Sequence, residues 1–100
     1  MTYRVVLSDA AEKDVTELLD HLVPEAGERI ARAYVDRLID YCAGFETFPE
    51  RGLKRDDLRP GLRVVGFRGR ASIAFLVRDD VVTIVRIFHG GRDLAFPPDA

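Results

Sequence analysis

One change of pattern, close to Phe48-Pro49, constrains this chain more than any other feature of its sequence. Before that point apolar residues recur at the spacing of a helix, and after it they recur at the spacing of strands. A chain of 100 residues of which 47% are hydrophobic can build one core. Helices followed by a run of strands predict an α+β fold in a single domain spanning residues 1–100.

The first half is predicted to hold a short strand followed by a helix. Tyr3 to Leu7 is rich in strand-forming residues, and Ser8 or Asp9 can cap the helix that follows. We expect this helix to end before Pro24, since the residue preceding a proline avoids helical geometry, and Pro24 would then open the second helix. The apolar stripe of the first helix consists of Ala11, Val15, Leu18, Leu19 and Leu22.

The second helix is predicted to end near Phe45 and to pair with the first as an antiparallel hairpin. Cys42 lies on its apolar side, so we interpret this cysteine as a core residue and not as a nucleophile. The hairpin is expected to cover one face of a sheet. The apolar side of the second helix carries Ile30, Tyr34, Leu38, Tyr41, Cys42 and Phe45.

Three strands are predicted in the second half, at Leu62 to Phe67, Ala71 to Arg78 and Val81 to Phe88. Gly69 marks the first turn between them, and Asp79-Asp80 marks a hairpin. With the first strand in the same sheet, the order is β-α-α-β-β-β, an antiparallel sheet with the helix hairpin on one face. The last strand is apolar on both faces, so its second face needs cover from the C-terminal tail, a second copy or a partner.

Charge is distributed unevenly along the chain. Residues 1–50 carry 5 basic and 11 acidic groups, whereas residues 51–100 carry 10 basic and 6 acidic groups. Within residues 51–70 alone, 7 basic groups stand against 2 acidic ones. Such a segment is typical of a surface for an acidic partner or a nucleic acid, and equally of a solvated arginine-rich loop.

Two residues of the last strand are candidates for a functional site. Arg86 alternates with Ile84 and Phe88 and is predicted to project from an apolar face, where its guanidinium must meet a carboxylate or an open site. His89, at the end of the strand, is either an acid or base or a residue that ends the strand. His21 is interpreted as a boundary residue of the first helix. No metal-ligand spacing and no phosphate-binding loop occurs, so we expect neither metal nor cofactor.

The single cysteine excludes an intrachain disulfide and fits a reducing compartment. No stretch resembles a signal peptide, and no apolar run is long enough to span a bilayer. We expect a cytoplasmic protein without a membrane association.

Four segments together resemble the RelE/ParE toxin superfamily, and in particular its ParE branch. The opening strand and helix start resemble the beginning of ParE toxins, and the other three resemble the turn after the second helix, the approach to the sheet and the closing strand. All three tyrosines lie in the first half, whereas RelE nucleases use a C-terminal Tyr or His. The four segments are Tyr3 to Val15, Phe48 to Gly52, Asp57 to Arg63 and Val85 to Asp93.

The resemblance implies the toxin of a type II toxin–antitoxin system, which inhibits DNA gyrase by binding it and has no catalytic residues of its own. It implies a cognate antitoxin, in a hetero-oligomer that we expect to be a heterotetramer, and no direct sequence-specific binding of nucleic acid. One alternative is a ribosome-dependent mRNA endonuclease of the RelE type, and another is an inactive ParE-like binding module. The endonuclease would use Lys54, Arg63, Arg86 and His89.

We also predict where partners bind. The antitoxin is expected to lay an amphipathic helix on the helix pair and an acidic extended segment along the sheet. The predicted contacts with antitoxin or target are Arg59, Arg63, Arg68, Val82, Ile84, Arg86, Phe88, His89 and Arg92.

Overall fold

A computed structural model describes residues 2–68 and 71–89 of the chain. In these residues, five strands form one sheet in the order β1-β5-β4-β3-β2. Strand β1 runs parallel to β5, and the other neighbours are antiparallel. The predicted α+β fold is confirmed, with β2 as an additional short strand. The elements are β1 Arg4–Leu7, α1 Asp9–Ala26, α2 Glu28–Ala43, a 3-10 turn Gly44–Glu46, β2 Leu53–Lys54, β3 Arg63–Phe67, β4 Ala71–Arg78 and β5 Val81–His89.

Ser8 is the residue that caps α1. Its hydroxyl accepts a hydrogen bond from the Ala11 backbone N–H at 3.0 Å and donates one to the Val85 carbonyl oxygen at 2.8 Å. The first interaction satisfies an N–H group at the start of the helix, and the second ties that start to β5. One short side chain therefore fixes where α1 crosses the sheet.

The predicted end of the first helix before Pro24 is wrong. Helix α1 continues through Pro24 to Ala26, and α2 begins at Glu28. Pro24 lies in the last turn, where a missing N–H costs a single intrahelical hydrogen bond. The break comes instead at Gly27, whose φ of 90° is a conformation that other residues rarely adopt.

The predicted apolar side of α2 needs one correction. Ile30 has a side chain that is 57% exposed, whereas Ala31 and Val35 are buried together with Leu38 and Cys42. The buried stripe is therefore rotated by one residue at the start of the helix. Burial raises the pKa of the Cys42 thiol to about 12, which agrees with its predicted place in the core.

The main core lies between the helix hairpin and one face of the sheet, which we call the helix face. The rings of Phe45 and Phe75 stack there at 4.4 Å between centroids, and Tyr41 and Phe67 pack nearby. Leu38 is fully buried in the same cluster. This placement confirms that the hairpin covers one face.

The opposite face of the sheet, which we call the second face, has a smaller core. Leu58 and Leu62 pack there against Ala74, Leu76 and Val85. Part of the cover is thus an internal segment, residues 55–62, which was not among the three sources predicted from the sequence. The C-terminal tail lies outside the described residues, so its predicted role as cover stays a prediction.

A β-bulge in β5 changes the predicted alternation of side chains. Arg86 pairs with Ala74, but Ile84 pairs with Phe75, so Val85 is an extra residue between them. Ile84 packs under the helices, whereas Val85 packs on the second face. The prediction that Arg86 shares a face with Ile84 is therefore wrong.

Candidate functional site

The second face carries an open groove of about 380 Å³. Its floor is apolar, because Leu76 and Val85 lie there with 8% and 5% exposure. An apolar depression at the surface is suited to receive an apolar side chain of a partner. We call it the second-face groove, and it is lined by Ser8, Ala10, Arg59, Leu76, Arg78, Thr83 and Val85.

Two arginines line this groove. Arg78 lies at the end of β4, on the same face as Leu76. Arg59 joins it from the covering segment of residues 55–62. The rim is therefore basic around an apolar floor, which favours a partner that is acidic and amphipathic.

The second candidate region is the seam between α1 and β5. Asp14 of α1 is a buried carboxylate in this seam. It accepts hydrogen bonds from Arg86 Nε at 2.8 Å, Arg86 Nη2 at 3.1 Å and the Ile87 backbone N–H at 2.9 Å. The bidentate pair raises the pKa of Arg86. The Arg86 guanidinium also lies 5.1 Å from the Phe88 ring centroid. Of the two alternatives predicted for Arg86, a carboxylate partner or an open site, the structure shows the carboxylate partner.

Sequence reasoning missed Asp14, although the spacing of the first helix contained the signal. Asp14 follows Ala11 by three residues and precedes Leu18 by four, so it lies on the buried stripe of α1. A carboxylate at such a position must find donors on the facing element. Arg86, on the facing strand β5, supplies two of these donors.

Two histidines meet at the end of the same seam. The His21 and His89 rings form an edge contact with 4.4 Å between centroids, beside a pocket of about 80 Å³ that Glu17 and Asp14 help to line. His21 therefore has a specific neighbour that its interpretation as a boundary residue did not include. Among residues 2–68 and 71–89, no group of three or more His, Cys, Asp or Glu side chains is placed to hold a metal ion.

The four residues of the nuclease hypothesis lie in two pairs. Lys54 and Arg63 are direct partners on β2 and β3, and Arg86 and His89 lie on β5. Strand β4 separates the pairs. Two strand spacings and the four-residue offset along β4 place the Cα atoms of Arg63 and His89 roughly 16 Å apart.

The two arginines of that set also project from opposite faces. Arg63 pairs with Phe75, which packs under the helices, whereas Arg86 pairs with Ala74, which packs on the second face. Directly paired residues share a face, so the two side chains leave the backbone on opposite faces, and the Arg86 guanidinium then bonds to Asp14 at the seam between α1 and β5. The register therefore does not direct the two side chains towards a common point, and each has its own partner, the Arg51 carbonyl oxygen for Arg63 and Asp14 for Arg86.

The predicted apolar contacts need correction as well. Val82 and Ile84 are fully buried beneath the helices, and Phe88 is 6% exposed. In the folded chain these three side chains expose almost no surface to a partner, because they are buried. The structure does place Arg59 at the second-face groove and exposes Arg68 at the end of β3. Arg92 lies outside the described residues.

The chain is similar to known proteins over most of its length. Residues 5–94 match the family described as the ParE toxin of the type II toxin–antitoxin system parDE. Toxin ParE3 of Caulobacter vibrioides is 30% identical over 92 residues, which cover 92% of this chain and 91% of that toxin.

Solved structures have a similar fold. A structure of the chromosomal ParDE toxin–antitoxin system from P. aeruginosa matches with a TM-score of 0.77 and 21% identity, over 88% of this chain and 96% of that chain. The toxin–antitoxin complex RelBE2 from Mycobacterium tuberculosis matches with a TM-score of 0.56 and 21% identity, over 90% and 100% of the two chains. No helix in the described part of the chain is long and apolar enough to cross a membrane.

Proposed function

Because the chain belongs to the ParE toxin family of type II toxin–antitoxin systems, we propose that it inhibits DNA gyrase by binding the enzyme and is neutralised by a cognate antitoxin. In this proposal the toxin performs no chemistry. It acts through its surface, where its side chains bind the target or the antitoxin.

The position of Arg86 is the observation that carries this proposal. Its guanidinium is held by the buried carboxylate of Asp14, and Arg63 projects from the other face of the sheet. Phosphoryl transfer needs cations that converge on one phosphate. The pairing of Arg86 with Asp14 supports a structural role for this arginine, as expected of a protein that acts by binding.

The antitoxin is proposed to occupy the second-face groove. Leu76 and Val85 would receive apolar side chains, and Arg59 and Arg78 would meet carboxylates of the same segment. This groove suits the acidic extended segment predicted to lie along the sheet, and the predicted amphipathic helix would bind separately, on the helix pair. Arg63, Arg68, Arg86 and His89 remain candidate contacts beyond it.

A supercoiling assay tests the gyrase proposal. Purified toxin is expected to block supercoiling and to increase the amount of cleaved DNA bound to gyrase, and equimolar antitoxin is expected to restore activity. Full supercoiling at a large excess of toxin would contradict the proposal. Toxin that never slows growth, although it is folded, would favour the inactive binding module.

The mRNA endonuclease remains the second candidate because His21 and His89 meet beside Glu17 at the open end of the seam. Imidazole and carboxylate groups are the side chains that most often act as general acids and bases. Mapping of mRNA ends after toxin expression tests it, with His89→Ala as the variant. Codon-aligned cleavage that disappears in the variant would replace the gyrase proposal.

A further inference from the structure

The turn that follows α2 forms an open pocket together with the start of the chain. The pocket has a volume of about 520 Å³ and combines aromatic, apolar and acidic side chains. It has no lining residue in common with the second-face groove. We call it the β1 pocket, and it is lined by Tyr3, Thr47, Phe48, Pro49 and Glu50.

Backbone hydrogen bonds hold both walls of the β1 pocket. The Tyr3 N–H donates to the Glu46 carbonyl oxygen at 2.9 Å, which ties the residue before β1 to the 3-10 turn. The N–H groups of Thr47 and Phe48 both donate to the Gly44 carbonyl oxygen, each at 3.2 Å. The walls are therefore ordered before any ligand is present, so binding there would cost little conformational entropy.

Phe48 offers an aromatic ring to a ligand of the pocket. Its side chain is 64% exposed, although the Arg51 guanidinium carbon lies 5.7 Å from the ring centroid. The ring thus already attracts one cation of this chain, and its exposed area leaves room for another. Tyr3 and Pro49 add apolar surface, against which the aliphatic stem of a long basic side chain can pack.

The charge of the lining is negative. Glu50 is exposed, and in the part of the chain that the structure describes it forms no salt bridge within 4.0 Å. Glu46, one residue before the lining, is a second exposed carboxylate in the same condition. The second-face groove has Arg59 and Arg78 in its lining instead. The two depressions therefore favour partner surfaces of opposite charge.

The two depressions also differ in the face of the sheet that they use. Tyr3 packs with Val5 and Leu7 against the core under the helices. Val6 pairs with Thr83, which lines the groove, so the groove lies on the other face. A segment of antitoxin in the groove would leave the β1 pocket open to a different protein.

We propose that the β1 pocket binds a basic side chain, arginine or lysine, of the protein that this toxin inhibits. This inference rests on the proposed function, in which the toxin acts by binding and the antitoxin takes the groove. The cation would lie against the Phe48 ring and meet the Glu50 carboxylate. Nucleic acid and the acidic segment of the antitoxin are both disfavoured, because their negative charges would face this carboxylate.

The chemistry of the pocket is tested by NMR titration of the full-length toxin with two short peptides. Acetyl-Leu-Arg-Leu-amide carries a basic side chain, and acetyl-Leu-Glu-Leu-amide is its acidic counterpart. We expect the arginine peptide to shift the amide signals of Thr47, Phe48 and Glu50, and Glu50→Lys to abolish these shifts. Equal shifts from the glutamate peptide, or shifts that survive Glu50→Lys, would overturn the inference.

The role of the pocket in inhibition is tested with purified gyrase and full-length variants. Phe48→Ala removes the ring, Glu50→Gln removes the charge and Glu50→Lys reverses it, whereas Asp36→Lys makes the same reversal on the exposed side of α2 as a control. We expect half inhibition to need at least about tenfold more toxin for Phe48→Ala and Glu50→Lys, and less than about twofold more for the control. Glu50→Gln should lie between them. Antitoxin affinity and thermal unfolding of the pocket variants should stay near wild-type values.

Four outcomes decide the inference. Inhibition at the wild-type level by Phe48→Ala and Glu50→Lys would overturn it, and so would an equal loss of antitoxin affinity. Self-association of the toxin that Glu50→Lys abolishes, seen by analytical ultracentrifugation, would make a second copy the occupant and overturn it. If wild type arrests growth without affecting gyrase, the gyrase proposal alone fails, and growth arrest by the same variants decides the inference. A wild type that does not arrest growth overturns both.

Discussion

The two faces of the sheet differ in how they are covered. The helix face lies under two helices and holds stacked rings such as Phe45 and Phe75, whereas the second face has only the segment of residues 55–62. The first arrangement buries its side chains completely, and the second leaves an open groove with an arginine rim. In this small protein, one face therefore holds the larger core, and the other leaves open the groove that we propose as a surface for partners.

The largest expected effect is the loss of a core ring on the helix face. Phe75→Ala is expected to lower the free energy of unfolding by about 3 to 5 kcal/mol, because it removes buried apolar surface and leaves a cavity. Phe48→Ala, at a 64% exposed position, serves as the control and should cost less than about 1 kcal/mol. Denaturant unfolding measures both. Equal losses would contradict the assignment of the larger core to the helix face.

The next effect tests the seam that joins the faces. Asp14→Asn is expected to lower the free energy of unfolding by about 2 kcal/mol, since the Arg86 guanidinium loses its charged partner. Asp20→Asn removes a carboxylate from the exposed side of α1 and should have little effect. If urea unfolding shows no difference between the two variants, the seam does not stabilise the fold.

A smaller effect depends on pH and reports how completely the Cys42 thiol is buried from water under the helix hairpin. Burial raises the pKa of Cys42 from 9.0 to about 12, so its thiol stabilises the fold below pH 9 and this contribution falls as the pH rises towards 12. Between these values the free energy of unfolding should fall more steeply in wild type than in Cys42→Ala, by up to about 1.4 kcal/mol per pH unit. Parallel pH profiles would show that the thiol is not buried as described.

The smallest effect on stability is expected at the rim of the groove. Arg78→Glu should change the free energy of unfolding by less than about 0.5 kcal/mol, because the side chain is exposed. It should nevertheless slow association with the antitoxin, most strongly at low salt. Arg37→Glu makes the same charge change on the exposed side of α2. Similar association rates for the two variants would show that the antitoxin does not bind at this groove.

Much of the helix face could be predicted from the sequence, because its periodicity is regular. The buried apolar positions of α1, Ala11 and Leu18, and the strand Ala71–Arg78 follow directly from the spacing of apolar residues. The start of α2 escaped this reasoning, since Ile30 and Ala31 are both apolar and a small residue, not the large one, faces the core.

The second face was much harder to predict. Ile84 and Val85 are adjacent apolar residues, so the sequence contains no sign that a bulge sends them to opposite faces. The segment of residues 55–62 is rich in charge and turn residues, which gave no indication that Leu58 and Leu62 cover the sheet. The groove depends on both features, and therefore on contacts between residues far apart in the chain.

The pairing of β1 with β5 has a consequence for the newly made protein. The Ser8 hydroxyl donates a hydrogen bond to the Val85 carbonyl oxygen, 77 positions later in the chain. Strand β1 pairs with β5, the last described strand, so its hydrogen bonds in the sheet cannot form before β5 has been synthesised. During synthesis the first strand emerges long before its partner exists. The sheet cannot form completely until β5 has been translated, because β5 lies between β1 and β4. A growing chain therefore lacks the folded surfaces of the complete protein. If the chain acts as proposed, toxicity would begin only after β5 leaves the ribosome, and a nearby antitoxin would meet the toxin as it completes its fold.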